Sequence, residues 1–182
     1  MKINPEKVIS ETNDNFGLEK YSFIINRFHK VDVSKDIFFQ TKFNGFYRVR
    51  RGKEWRKCFY ELFEKGKTQE LNYREIITYL YEKTGNVEAS FSSKMLATLN
   101  PDKPIWDQYI LKNLNFQLVG EGRQKLNNAI FIYSKIENWY REFLKTPNAK
   151  ECIEAFDKEF PMYQWLSDIK KIDCFLWKIR DK

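Results

Sequence analysis

The sequence predicts an all-α chain folded as a single compact multi-helix domain of about eight or nine helices, and three observations carry that expectation. Apolar residues recur at helical spacing along nearly the whole length, start and stop residues punctuate those stretches, and no run alternates as a half-buried strand would. Aromatic side chains make up 17% of the 182 residues, ample apolar area for one core and a composition that disordered chains lack. Residues 16–118 are expected to form a helical core carrying a basic segment and a hairpin-like region. Residues 122–182 should supply C-terminal helices that pack on it.

Taken in order, Leu18, Tyr21, Ile24, Ile25 and Phe28 share one face of a helix over Leu18–His29. Ser34 is a candidate N-cap for a second helix running to about Arg51, with Phe38, Phe39, Phe43 and Phe46 on its apolar side and Gly52 as its breaker. Trp55, Cys58, Phe59, Leu62 and Phe63 repeat the pattern from Glu54 to Lys65, which Gly66 ends. Asn72 with Glu75 at capping-box distance starts the next helix, which stops at Gly85. Two short helices are expected at Glu88–Leu99 and Ile105–Leu114, on either side of a Pro-bounded NPDKP reversal. A long amphipathic helix then spans Arg123–Lys145, Thr146-Pro147 opens another ending near Phe160, and Ser167 caps the last.

Several classes of function are set aside by what the chain lacks. It has neither a signal-peptide core nor a long uncharged apolar stretch, so a cytoplasmic protein is expected. Cys58, Cys152 and Cys174 are odd in number and lie within helical patterns, and they read as small buried hydrophobes rather than a disulfide framework. One histidine, His29, and no paired cysteines leave no zinc site, and no carboxylates stand at metal-binding spacing. No phosphate-binding loop, dinucleotide fingerprint or nucleophile elbow is present, and no cofactor is expected.

The net charge of +7 is concentrated: residues 42–57 hold seven cations against Glu54, a local excess of +6. There Lys42, Arg48, Arg50, Arg51, Lys53, Arg56 and Lys57 interleave with Phe43, Phe46, Tyr47, Trp55 and Tyr60. Cations that grip phosphates beside rings that stack on bases would suit nucleic acid. The same rings also fit an ordinary core face, which leaves the excess of cations as the stronger signal. The rings' core spacing and the lack of a lipidation motif speak against a membrane surface.

One stretch is suited to chemistry. Lys94 lies in a helix rich in small residues (Ala89, Ser90, Ser92, Ser93, Ala97), and Asp107 follows Pro104 in the first turn of the next helix, 13 positions on. Antiparallel packing across the reversal would bring amine and carboxylate together. A deprotonated lysine can attack a sugar C1′ carbon while a carboxylate stabilises the cationic transition state or activates water, provided a dry pocket lowers the lysine's pKa. Each residue also has a plain structural use: a solvated lysine, an aspartate favoured at a helix start, and in Trp106 a core ring.

Gly85, Lys94 and the segment Pro104-Ile105-Trp106-Asp107 resemble the helix-hairpin-helix DNA glycosylase superfamily, in the form of uncharacterised bacterial proteins with an 8-oxoguanine-glycosylase-like fold. The resemblance covers roughly residues 72–115. It implies a helix-hairpin-helix glycosylase-like fold and a protein that binds double-stranded DNA, flips out a modified or damaged base and cleaves its N-glycosidic bond. Asp107 would be the electrostatic or general-base residue, Lys94 the Schiff-base nucleophile, Trp106 and Trp55 would line the base pocket, and Arg48, Arg50, Arg51, Lys53, Arg56 and Lys57 would hold phosphates. The competing expectation is a non-catalytic helical module that binds nucleic acid or a protein, as a regulatory or phage-defence component.

Overall fold

A computed structural model describes residues 1–12 and 15–179. Its described residues form ten α-helices and two short 3-10 turns in one compact domain, with no strand among them. In chain order these are α1 (Pro5–Ser10), α2 (Leu18–Phe28), α3 (Ile37–Tyr47), α4 (Lys53–Lys65), α5 (Tyr73–Thr84), α6 (Ala89–Leu99), α7 (Gln108–Asn113), α8 (Gly122–Phe143), α9 (Pro147–Glu159) and α10 (Asp168–Lys178). No helix among the described residues is long and apolar enough to cross a membrane.

The punctuation residues act largely as the sequence suggests. Asn72 and Glu75 form a reciprocal capping box on α5, Gly85 ends that helix with φ +70°, Thr146 caps α9 ahead of Pro147, and Ser167 caps α10. The second expected helix differs at both ends. Asp36, not Ser34, caps α3 by accepting from the Phe39 amide at 2.6 Å, while Ser34 binds Asp32. At its far end α3 stops at Tyr47, because Arg48 turns left-handed (φ +54°) and the Val49 amide closes back on the Asn44 carbonyl at 2.9 Å. That turn buries Val49, the one apolar residue among four, and leaves Arg48 and Arg50 in solvent.

The N-terminal half is an aromatic core. Phe28 of α2, Phe39 and Phe43 of α3, and Phe59, Tyr60 and Phe63 of α4 interlock with ring centroids 4.9–6.4 Å apart, mostly tilted or edge to face. α5 then packs on α4, α6 and α8. The polar start of the chain forms a tenth helix, α1, which the periodicity did not suggest and which rests on α9 and α10. Its entry is fixed by a two-way bond in which the Ile3 amide donates to Asn148 and Asn148 donates to the Ile3 carbonyl, both at 2.8 Å. Phe16 carries the chain into the C-terminal core, edge-on to Phe160 and Phe175.

The segment expected to open a helix at Ile105 instead runs as a buried strap from Pro104 to Trp106, and α7 starts only after Asp107. A buried extended strap needs partners for its backbone, and side chains supply them. Ser93 Oγ accepts from the Trp106 amide at 2.7 Å, Ser90 Oγ donates to the Trp106 carbonyl at 2.9 Å, and Tyr133 of α8 donates to the Pro104 carbonyl at 2.8 Å. The serines of α6 are therefore the rail that holds the strap.

Candidate functional site

α5 and α6 form a helical hairpin through Gly85, Asn86, Val87 and Glu88, and Lys94 projects from the second arm. Tyr73 of α5 fixes the arm by donating to the Ala89 carbonyl at 3.2 Å, and it stacks on Tyr133 at 3.7 Å. Lys94 is 8% exposed. Its ammonium donates to Ser90 Oγ at 2.9 Å and stands 5.5 Å from the ring centres of both Tyr47 and Phe91. Burial pushes its pKa below the usual lysine value; the Asp107 carboxylate opposes the fall, and the charges of Lys170 and Arg48 deepen it.

Asp107 is the N-cap of α7, one position earlier than the first-turn placement expected from the sequence, and it accepts from the Tyr109 amide at 2.9 Å. Half-buried, it is close enough to Lys94 for the two charges to act on each other. The amine and carboxylate, 13 positions apart in the chain, form no direct ion pair, and each keeps its own partner, Ser90 for Lys94 and the Tyr109 amide for Asp107. The other expected pocket residues are placed differently. Trp106 and Trp55 are core residues, 5% and 8% exposed, with Trp55 stacked on Phe59 and donating to Glu88 at 3.0 Å. Phe43, Tyr47 and Tyr60 are buried too, so these rings of the basic segment build the core instead of offering faces to bases. Phe91, half-buried beside Lys94, is the ring at the edge of the site.

Among the cations, Arg48, Arg50, Lys53, Arg56 and Lys57 are exposed and form no ion pair with any described residue. Arg51 is committed elsewhere: its guanidinium grips both oxygens of the buried Glu88 at 3.0 Å and covers Phe91 at 5.3 Å. Lys42 lies over Phe38 at 5.2 Å. The end of α3 and the loop that follows it therefore border the Lys94 site through Tyr47, Arg48 and Arg51, and the cations that form no ion pair continue along α4.

Behind Lys94 lies a buried polar cluster on α10 that the sequence reading missed. Asp173, 2% exposed, accepts a short bond from Tyr140 and a bond from the Ile105 amide of the strap. Burial pushes its carboxyl up to about 7 and the Asp107 charge adds to the rise, while Lys170 and the two hydrogen bonds oppose it. Lys170 stands 4.4 Å over the Tyr21 ring. The cysteines are free, Cys152 and Cys174 buried and Cys58 half-buried. No group of three or more potential metal ligands occurs among the described residues.

Asp173 should make stability fall with pH. Between about 4 and about 7 the folded chain holds a proton that the unfolded chain has released, so its contribution is complete below about 4 and is lost by about 7. The loss is on the order of 4 kcal/mol. Asp173→Asn should flatten that part of a denaturant-derived stability profile, and an unaltered slope would show that Asp173 does not titrate there.

Comparison of the chain with protein-family models, with curated proteins and with solved structures returns no match. Any functional reading therefore rests on the site.

Proposed function

We infer that the chain is a DNA-binding protein of the glycosylase kind, acting at the C1′ carbon of a modified or damaged nucleotide flipped out of the duplex. The observation that carries this reading is a buried lysine, its amine made easier to deprotonate, within electrostatic range of a half-buried aspartate and beside a strip of arginines and lysines that form no ion pair. Arg48, Arg50, Lys53, Arg56 and Lys57 hold phosphates. Lys94 is the nucleophile and Asp107 the carboxylate that stabilises the cationic sugar or activates water. The arrangement of α5, Gly85 and α6 supports the helix-hairpin-helix resemblance, with Lys94 on the second arm as that resemblance implies.

A second reading is favoured by the depth of Lys94 and by the two core tryptophans. In it the chain is a non-catalytic helical module that uses the same cations, and Lys94 is a core lysine satisfied by Ser90 and two rings. Salt titration of duplex binding tests the shared part. The logarithm of affinity should fall linearly with the logarithm of salt, and Arg50→Ala with Arg56→Ala should flatten that slope by about 0.9 per lost phosphate contact. An unchanged slope contradicts the nucleic-acid interface in both readings. Release of base by the wild-type protein then separates enzyme from binder.

A further inference from the structure

α8 is the longest helix among the described residues, 22 residues from Gly122 to Phe143, and one of its faces has no partner in the fold. Leu126, Ala129, Tyr133, Ile136 and Tyr140 are buried on its inner side. Arg123, Asn127, Phe131, Lys135, Asn138 and Arg141 are all exposed, at i, i+4, i+8, i+12, i+15 and i+18, and form one stripe along the outer side. Three features set the stripe apart from an ordinary solvated face. It carries no free carboxylate: the two in α8 are held by lysines, Glu137 by Lys103 at 2.9 Å and Glu142 by Lys145 at 2.8 Å. It places asparagines, poor helix formers, in mid-helix, and neither Asn127 nor Asn138 hydrogen-bonds to a described residue. It presents the Phe131 ring, 61% exposed, at its centre, where Arg74 of α5 borders a shallow groove together with Asn127. Arg74, Arg123 and Arg141 form no ion pair with a described residue.

We propose that this face of α8 is a second nucleic-acid surface, which reads base edges in the major groove of double-stranded DNA. The cations match an anionic partner, and the uncommitted amides between them match base edges. An asparagine amide both donates and accepts, as the N6 and N7 edge of adenine requires, and a phenylalanine ring suits the thymine methyl group. The stretch from Asn127 to Asn138 is about 17 Å long and lies in the groove. Arg123 and Arg141, about 27 Å apart along the axis, fall beyond it, where the phosphate strands rise on either side. Other occupants fit this face less well. A membrane takes up the apolar side of a helix, and that side of α8 is in the core. A protein partner needs a wider apolar centre than one ring. Double-stranded RNA hides its base edges in a deep, narrow major groove. The proposal goes beyond the reading of Lys94 and holds for an enzyme or a binder alike.

The test is to capture duplexes from a random-sequence pool with the full chain and sequence those that bind. The wild-type protein should enrich a short run of base pairs. Asn127→Ala and Asn138→Ala each raise helix propensity at an exposed position, so both variants should fold. Each should cut the preference at its own base pair by about tenfold. Arg56→Ala on α4 should weaken binding without altering the enriched sequence. Arg123→Ala with Arg141→Ala should flatten the salt dependence of binding by about 0.9 per lost phosphate contact. No enriched sequence, or one that survives both asparagine substitutions, overturns the proposal. So does duplex binding that ignores the two arginine substitutions while binding to phosphatidylserine vesicles falls, which gives the face to a membrane. An enriched sequence that depends on the asparagines, with no release of base from any duplex, upholds the proposal and sinks the glycosylase reading.

Discussion

Asp107→Asn should lower base release from a modified duplex by about a hundredfold or more while leaving duplex affinity and thermal stability close to wild type. The substitution separates the residue's two uses. As the N-cap of α7, Asp107 accepts from the Tyr109 amide, and asparagine caps a helix start about as well as aspartate. What asparagine cannot supply is the charge that stabilises a cationic sugar or takes a proton from water. A variant that lost stability and activity together would place Asp107 in the fold alone. Full activity would remove it from the chemistry.

Arg51→Ala should cost about 3 kcal/mol of folding stability, whereas Arg50→Ala, one residue away, should change it by less than about 0.5 kcal/mol. Arg51 is the guanidinium that holds both oxygens of Glu88, and Glu88 is 3% exposed at the start of α6. Without it the carboxylate stays buried with only the Trp55 ring N–H for company. The estimate sits at the lower end of buried pairs because the Arg51 side chain is 42% exposed. Denaturant midpoints of the two variants decide the matter. Equal, small losses would return Arg51 to the set of surface cations, and the expected difference would make it the strut between the basic loop and the start of α6.

Much of the fold was legible because the signals were local. A capping box, a left-handed glycine and a Thr-Pro pair each specify a helix end with little help from distant residues, and Asn72, Gly85 and Thr146 act accordingly. The ends that moved were decided by tertiary packing. α3 stops at Tyr47 because Val49 finds the core, and α7 starts late because serines on α6 and a tyrosine on α8 hold the Pro104–Trp106 strap extended.

The site was legible to a similar degree. Lys94 and Asp107 sit on two sides of a tight reversal, so chain geometry places them in one region, with Lys94 bound to Ser90 and Asp107 to the Tyr109 amide. Lys170 and Asp173 gave no such signal: spaced i, i+3 on a helix with a good apolar stripe, they read as its wet side. α10 is instead enclosed by α1, α7 and α9, and every residue from Lys170 to Leu176 is buried. The division of the cations was hidden for the same reason, since only the fold reveals that Arg51 meets Glu88, 37 positions away.

Borohydride trapping on duplexes that carry an abasic site or a modified base tests the central claim most directly. Borohydride reduces a lysine imine at C1′ to a stable bond, so an active Lys94 leaves a covalent protein–DNA adduct. The account predicts an adduct with the wild-type protein that is absent with Lys94→Ala. An adduct that persists in a folded Lys94→Ala protein, or none with the wild type on any substrate, would contradict the assignment of Lys94 as nucleophile.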